Sequence, residues 1–236
     1  MEIIFVIFGL IVAGLIIYYS YYTAEQRRKA MRNVAQQLGL NYSGDESWSL
    51  WGKSTDKDRI YSDISLFQQG SSPKAYNIVS GNKDRCYVDI FDYTYRTGSG
   101  KNRRAHYNSV CTLTIPQRFR SLHIRSEGFF DKIAGAIGFD DIDFESKEFS
   151  SKYYVKSDDR KFAYDIIHPQ MMEFLLATTP PLIEINGKYM AFYIARKIKP
   201  AEYIGLYNFT MEFYKKIPNY VLEEYKTETA ETQREF

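Results

Sequence analysis

The stretch that decides the architecture is EIIFVIFGLIVAGLIIYYSYYTAEQRRK, residues 2–29. From Ile3 to Ile17 every residue is apolar or glycine, and the tyrosines of residues 18–22 follow as an aromatic belt suited to a lipid interface. A helix rises about 1.5 Å per residue, so about 20 residues cross the ~30 Å hydrocarbon layer of a bilayer. The sequence therefore predicts one transmembrane helix, with residues 1–23 as the anchor.

The charges that flank this helix predict its orientation. Arg27, Arg28 and Lys29 come after the apolar run, whereas only Met1 and Glu2 precede it. A cleaved signal peptide needs basic residues before the run and a small-residue cleavage site after it, and neither is present. Because cationic flanks stay inside, we expect a single-pass protein of the cell membrane with its N-terminus outside and its C-terminal domain in the cytoplasm.

Composition limits the kinds of structure that the chain beyond the anchor can form. Residues 24–41 carry apolar side chains at helical spacing and predict a juxtamembrane helical stalk, residues 42–225 have the length of one soluble domain, and residues 226–236 are polar and predicted to be disordered. A net charge of +2 argues against a strongly basic nucleic-acid binder. Only Cys86 and Cys111 are present, too few for a disulfide framework or a paired zinc site. In an oxidising compartment the two could form a bridge, but the predicted cytoplasmic orientation favours two buried thiols.

After a polar stretch at Ser43–Asp58 that holds both tryptophans and predicts a loop, the pattern changes to a period of two, typical of strands. The predicted strands are bounded by Gly, Pro, Asn or Ser and cover Ile60–Phe67, Ala75–Ser80, Arg85–Tyr95 and Ala105–Ile115. A turn centred on Gly98 and Ser99 places Cys86 opposite Cys111 to within about one residue. An antiparallel meander is expected.

The second half of the chain mixes helices and strands. Its predicted elements are a strand at Ser121–Arg125, a helix from Ser126 to Gly138, extended segments at Lys152–Lys156 and Phe162–Ile167, a helix from Pro169 to Leu176, a hairpin around Asn186-Gly187 and a helix from Pro200 that ends before Pro218. The fold class predicted is α+β: a mainly antiparallel sheet with two or three packed helices, preceded by one transmembrane helix.

A run of acids is the first candidate site. Its four carboxylates lie within six residues and are Asp140, Asp141, Asp143 and Glu145. That density suits a divalent cation or an acid–base pair. The ordered donors and glycine of a calcium loop are missing, however, and the apolar residues between the acids favour a structural or interaction role. Asp158, Asp159 and Asp165 are further acids that the fold can bring to this run.

A basic group is the second candidate site. The four cations, with His106 nearby, are Arg96, Lys101, Arg103 and Arg104. They suit phospholipid head groups, RNA or an acidic protein, and the plain alternative is a solvated hairpin tip. The run Gly98-Ser99-Gly100-Lys101 does not make a phosphate-binding loop, because Tyr95 stands where a glycine is needed and Asn102 where Ser or Thr is needed.

Several segments between Gly138 and Tyr189 carry a resemblance to a known family. They read GFDDIDFES (138–146), EF (148–149), YV (154–155), DDRKFAY (158–164), HPQMMEFLL (168–176) and NGKY (186–189). In order and spacing these segments resemble a module, a domain of unknown function, shared by uncharacterised bacterial membrane-anchored proteins. The resemblance implies a bacterial membrane protein and carries over no catalytic residues.

The function predicted from these observations is non-enzymatic. We expect a membrane-anchored domain at the cytoplasmic face that binds a protein or ligand through an aromatic-rich sheet, the acidic run, or both, since no hydrolase or metal motif is recognisable. The alternative is a metal-dependent enzyme that uses the run from Asp140 to Glu145. The expected partners are the lipid bilayer, through residues 3–22, and a protein at the membrane. Nucleic acid, a cofactor and a bound metal are not expected, and the sequence leaves the oligomeric state open.

Overall fold

The computed structural model describes residues 2–44, 63–126 and 142–226. Its helices are α1 (Glu2–Leu38), α2 (Ser65–Gln68), α3 (Lys147–Lys152), α4 (Arg160–Ile166), α5 (Pro169–Ala177), α6 (Glu202–Lys216) and α7 (Asn219–Glu224). Its strands are β1 (Asn41–Gly44), β2 (Ser71–Lys83), β3 (Cys86–Thr97), β4 (Arg104–Ser126), β5 (Tyr153–Ser157) and β6 (Leu182–Ile194). The first two residues of the predicted tryptophan loop, Ser43 and Gly44, belong to β1. The rest of that loop, the predicted helix after Ser126 and the predicted disordered tail beyond Lys226 lie outside the described residues.

Helix α1 has a membrane half and a domain half. Among the described residues it is the one helix long and apolar enough to cross a membrane. The apolar side chains from Ile4 to Ile17 are exposed, as expected for a surface that contacts lipid rather than the protein core. Farther along, Met31, Val34 and Ala35 are buried in the main core. This arrangement fits a single-pass membrane protein whose helix continues unbroken into its domain.

The sheet is antiparallel throughout and is organised around β4. Strands β1 to β5 lie side by side in chain order, and β6 also pairs with β4. Along one side of β4, residues 104–114 pair with β3 and residues 122–126 pair with β5. β6 occupies the other side. The α+β prediction, a mainly antiparallel sheet with packed helices behind one membrane helix, is confirmed.

Each face of the sheet carries its own core. The larger core lies under α1 and under helices α3 to α7. It includes Phe149, Phe162 and Phe213. The smaller core lies on the opposite face, where Phe67 of α2 packs on Phe91 and Tyr93 of β3, with ring centroids 6.1 and 5.1 Å apart. Rings at such spacing bury large apolar surface and add edge-to-face attraction. Aromatic side chains thus fill both cores, from the strands and from the helices that cover them.

Two extended or hairpin predictions in the second half are wrong. Asn186-Gly187 makes no hairpin: Leu182–Ile194 is one strand, and Gly187, at φ +57°, lies opposite Phe119 where the pairing register shifts. The partner β4 is long enough to pair with both halves, which the local Asn-Gly signal does not reveal. Phe162–Ile167, predicted as extended, is helical, because the Asp159 carboxylate accepts a hydrogen bond from the Phe162 N–H and caps α4.

Three predictions for segments before residue 126 also need correction. The described part of Ile60–Phe67 contains the start of α2 rather than a strand. Ser121–Arg125 is the end of β4 and not a separate strand. Cys111 lies opposite Ile90 instead of Cys86, because a 3₁₀ turn at Gly100–Asn102 lengthens the connection and shifts the register. Both cysteines are free and buried, as predicted.

Candidate functional site

The membrane helix is joined to the sheet by a buried ion pair. Arg27 donates two hydrogen bonds to the Asp92 carboxylate, Nε to Oδ2 at 2.8 Å and Nη2 to Oδ1 at 2.6 Å, and a third from Nη1 to the Ile198 carbonyl at 2.8 Å. The same carboxylate accepts hydrogen bonds from the Asn77 amide at 2.7 Å and from the Tyr203 hydroxyl at 3.0 Å. This junction therefore ties α1 to β2, β3 and α6.

The electrostatics of the junction favour both charges. The side chains of Arg27 and Asp92 are 11% and 1% exposed. Burial alone disfavours a charged guanidinium, but the hydrogen bonds and charge of Asp92 outweigh it, and the pKa of Arg27 is raised. A bidentate guanidinium–carboxylate pair with its remaining acceptor positions filled is the geometry in which burial of an ion pair is tolerated.

Two contacts along α1 set the direction of the sheet. Arg27, in the middle of the helix, lies at the level of Asn77 in β2, and Leu40, just after the helix ends, packs on Gly81 of the same strand. β2 and α1 therefore advance in the same direction, away from the membrane half of α1. The β3–β4 turn lies at the opposite end of the sheet, which is the end nearer the membrane.

An open strand edge lies at this membrane-proximal end. The pairing of β4 with β6 stops at Ser109 opposite Ile194, whereas β4 continues to pair with β3 as far as Arg104. The chain after β6 is drawn aside because the Ser109 hydroxyl donates to the Arg196 carbonyl and accepts from the Ile198 N–H, both at 3.0 Å. In the part of the chain that the structure describes, β4 residues 104–108 have no second neighbouring strand.

A cavity of about 440 Å³ runs along this edge. We call it the edge cleft, and it is bounded by β4 residues 105–108, by residues 195–197 and by the side chains of Leu66, Tyr95 and Tyr193. Its walls combine aromatic rings with strand backbone and polar side chains. That mixture is common in sites that bind a ligand by shape and a few polar contacts.

One wall of the edge cleft carries an unpaired amide. Asn108 is 5% exposed, and its Nδ2 has no hydrogen-bond partner among the described residues. A buried donor left unpaired costs about 1–3 kcal/mol. Neighbouring polar groups are engaged: the His106 ring stacks on Tyr95 at 4.7 Å between centroids and its Nε2 lies 2.7 Å from the Thr97 hydroxyl. Asn108 is therefore the residue in this wall whose buried side-chain donor lacks a described partner.

The mouth of the edge cleft is cationic. Arg196 and Lys197 line it, and the Arg196 guanidinium is 3.5 Å from the Glu202 carboxylate in an exposed pair. The ammonium of Lys197 lies 5.6 Å from the centre of the Tyr76 ring. Partial burial and the nearby Arg27 charge lower the pKa of Lys197, and only the Asp92 charge opposes this. A ligand that brings a negative charge would relieve that repulsion.

A larger cavity, of about 720 Å³, lies on the helical side of β6. Phe174 and Phe209 form its floor, stacked at 5.0 Å, and Pro180 and Pro181 form its rim. Its charged pair, Arg196 with Glu202, is already matched. The cavity lining is mostly apolar, and no described polar atom that lines it is buried without a hydrogen-bond partner.

The predicted acidic run is only partly described. Asp140 and Asp141 lie outside the described residues, and Asp143 and Glu145 are exposed. The other acids considered have separate structural tasks: Asp158 accepts from the Ser121 N–H, Asp159 caps α4, and Asp165 pairs with Lys161 at 2.8 Å. Within the described residues no group of three or more His, Cys, Asp or Glu is placed to hold a metal ion. A role for the acidic run remains a prediction.

The predicted basic group is fully described and lies at the β3–β4 turn. We call these four exposed cations, Arg96, Lys101, Arg103 and Arg104, the basic tip. None of them forms an ion pair with a described residue, and Arg103 donates a hydrogen bond to the Ser72 hydroxyl at 3.4 Å. The edge cleft and the junction were not predicted, since each depends on residues far apart in the chain.

Comparison with known proteins adds little to this site. No protein-family model matches the chain, and no curated protein matches it. A solved structure with a similar chain path is the crystal structure of the mycobacterial trehalose monomycolate transport factor A, TtfA, with a TM-score of 0.48 and 16% identity over 83% of this chain and 96% of that one. A likeness at this level carries no argument about function.

Proposed function

We propose that this protein is a non-enzymatic, membrane-anchored binding domain that takes up an extended segment of a partner protein in the edge cleft. The observation that carries the proposal is the open edge of β4 at residues 104–108, with the unpaired Asn108 amide in the wall beside it. On the basis of the charges that flank α1, we place the domain at the cytoplasmic face of the cell membrane.

An open strand edge favours a peptide as the ligand. An exposed edge presents main-chain N–H and C=O groups that an extended segment can pair with, and pockets for alternate side chains then give specificity. In the edge cleft, Leu66 and Tyr193 line the wall that such side chains would meet. The Asn108 amide is a donor for one further acceptor on the segment.

The charges at the mouth of the cleft indicate the chemistry of that segment. Arg196 and Lys197 both lie there, Arg196 within 3.5 Å of the exposed Glu202 carboxylate, and the neighbouring β4 residues carry no acid. Opposite charges across an interface fix the register of binding and suppress wrong partners. We therefore expect the segment to carry an acidic side chain or a C-terminal carboxylate.

The position of the cleft points to a partner at the bilayer. The junction at Arg27 holds the β4 edge at the end of the sheet nearer the membrane half of α1. A segment that emerges from a neighbouring membrane protein reaches this edge without crossing the domain. Because both proteins are confined to one membrane, their effective concentration is high and a modest affinity suffices.

Site-specific photocrosslinking in cells tests the proposal. A photoreactive phenylalanine analogue replaces Tyr107, which is 51% exposed beside the cleft, in the full-length protein. Tyr87 is the matched control, since it is 41% exposed at the far end of the neighbouring strand. We expect position 107, and not position 87, to give an adduct with a membrane protein, mapped by mass spectrometry to an extended segment with an acidic residue.

A charge reversal makes the test specific for the cleft. Arg196→Glu combined with Lys197→Glu should reduce the adduct from position 107 by on the order of tenfold or more, because like charges then face the segment. The proposal is wrong if position 107 gives no adduct, if position 87 gives the same adducts, or if the charge-reversed protein is captured as well as the unchanged one.

A further inference from the structure

We infer that the basic tip rests on anionic phospholipid head groups of the same bilayer that holds α1, so that the domain is seated on the membrane at two points. This surface is separate from the edge cleft and does not depend on the peptide that the cleft takes up. Three observations support it: the height of the tip along α1, the charge of the tip and the way in which the junction fixes both.

The height of the tip is set by the junction. Asp92, bound by Arg27, lies five residues before the end of β3 at Thr97. Five strand residues span about 17 Å, and about eleven helical residues cover the same length. Counting back from Arg27 therefore brings the tip to the level of Ile16, or to about Ser20 if the crossing of strand and helix shortens the projected length by about a third. These two levels bracket the boundary between the apolar run, which ends at Ile17, and the aromatic belt at residues 18–22.

The charge of the tip suits an anionic surface. From Tyr93 to Ser126 the chain contains no Asp or Glu. The four cations of the basic tip are exposed and form no ion pair with a described residue, so none of the described acids cancels their charge. Basic residues near an anionic membrane surface gain attraction that grows with each added charge and falls off within a Debye length.

The junction fixes the position of the basic tip relative to the bilayer, because it joins α1 rigidly to the sheet. Arg27 is held by two hydrogen bonds to Asp92 and one to the Ile198 carbonyl. α1 also continues as one helix from the membrane half into the core, where Met31 is fully buried. Because this single helix runs from the bilayer into the core, it sets the height of the tip above the membrane without further ordering of the chain.

Energy transfer to labelled lipids tests this inference on the full-length protein. A donor dye is attached at Ser99→Cys, next to the basic tip, while Cys86 and Cys111 stay shielded in the core. The protein is reconstituted into phosphatidylcholine vesicles that contain about a quarter phosphatidylglycerol. Transfer is compared for acceptor-labelled phosphatidylglycerol and acceptor-labelled phosphatidylcholine, each at the same trace fraction.

We expect more efficient transfer to the anionic lipid. Each cation near the surface contributes an enrichment of about fivefold, so Arg103→Gln with Arg104→Gln should remove most of the difference between the two acceptors. The matched control replaces two exposed cations at the other end of the sheet, Arg85→Gln with Arg118→Gln. This variant should leave the difference between the two acceptors unchanged. Raising the salt from about 0.1 M to about 1 M shortens the Debye length from about 10 to about 3 Å. We expect this change also to remove the preference for the anionic lipid.

Equal transfer to both lipids in the unchanged protein overturns the inference, and RNA or an acidic protein then becomes the better partner for the tip. A preference that survives in the Arg103→Gln, Arg104→Gln protein, or that the distal control also loses, overturns it equally. None of these outcomes alters the crosslinking expected from the edge cleft, so the two proposals fail independently.

Discussion

The guanidinium of Arg27 and the carboxylate of Asp92, 65 residues apart in the chain, form a bidentate pair with N–O distances of 2.8 and 2.6 Å at the point where the membrane helix meets the sheet. Asp92 is 1% exposed, so water cannot replace the guanidinium as its partner. The pair therefore acts as a fixed joint between anchor and domain, and it decides which end of the sheet lies next to the bilayer.

Removal of Arg27 should loosen this joint. In Arg27→Ala the Asp92 carboxylate stays buried with only the Asn77 amide and Tyr203 hydroxyl as donors, so we expect a loss of about 3–5 kcal/mol in the free energy of unfolding. Chemical denaturation of the full-length protein in detergent measures it. Arg32→Ala removes an exposed contact to Glu25 at 3.5 Å and a contact with the Tyr42 ring, 5.2 Å from its centre, and should cost about 1 kcal/mol or less. Equal losses in the two variants would contradict a special role for Arg27.

Asn108 offers a test that separates stability from binding. Replacing its unpaired buried amide with the apolar Asn108→Leu side chain should leave the unfolding free energy unchanged or raise it by about 1 kcal/mol, because an unsatisfied donor is removed. The same variant should weaken capture of the partner segment at position 107. A loss of more than about 2 kcal/mol would instead mean that the amide has a structural partner.

Gly70 is a position where only glycine fits. Its φ is +62°, and a Cβ built there would lie 2.3 Å from the Arg96 carbonyl oxygen. Gly70→Ala should therefore lower the unfolding free energy by more than about 2 kcal/mol and disturb the β3–β4 hairpin next to its turn. Gly205, in the exposed face of α6, has nothing within 4 Å of its Cβ position. Gly205→Ala should raise stability by about 0.5–1 kcal/mol, and thermal melts of the two variants that shift together would count against this account.

The buried thiols predict how stability falls in alkali. Burial raises the pKa of Cys86 to about 11 and that of Cys111 to about 12, from 9.0. A raised folded pKa means that the contribution to stability is complete below pH 9 and is lost as the unfolded thiols ionise between pH 9 and those values. Each thiol adds a slope of up to about 1.4 kcal/mol per pH unit in that window.

The variant Cys111→Ala tests this expectation. The quantity to compare is the change of unfolding free energy with pH, not the unfolding free energy at one pH. Denaturant midpoints measured from neutral to alkaline pH should fall less steeply in the variant, since one buried thiol no longer titrates. Alkylation of the native protein at neutral pH should also be slow until it unfolds, because both side chains are shielded. A variant with the same slope as the unchanged protein would show that burial does not govern this thiol.

The sequence predicts the parts of the fold that depend on local pattern. The anchor, strands β2 and β3, and helices α5 and α6 are predicted from apolar runs, alternation and proline positions, each of which acts within a few residues. The hairpin at Asn186-Gly187 failed because the partner of this segment is β4, some 70 residues earlier, and pairing along a 23-residue strand outweighs a local turn preference. For α4, the signal was present in Asp159, three residues before Phe162, but the apolar run masked it.

The candidate site was less accessible to sequence reasoning than the fold. The basic tip was recognised because its cations are close together in the chain. In the sequence, Asn108 looks like any asparagine in a strand. Only the structure shows that β6 stops pairing with β4 next to it and that its amide is buried without a described partner. The Arg27–Asp92 pair was hidden in the same way, since Arg27 reads as one of several topology-setting cations and Asp92 as one polar residue within an apolar strand.

The fixed joint between anchor and sheet is tested most directly by a distance across it. Spin labels at Thr23→Cys on α1 and Ser99→Cys on the β3–β4 turn, in the full-length protein in lipid nanodiscs, report that distance by pulsed dipolar spectroscopy. We expect one narrow distribution centred below about 30 Å, which broadens in Arg27→Ala. A broad distribution in the unchanged protein, or a narrow one centred beyond about 45 Å, would contradict it.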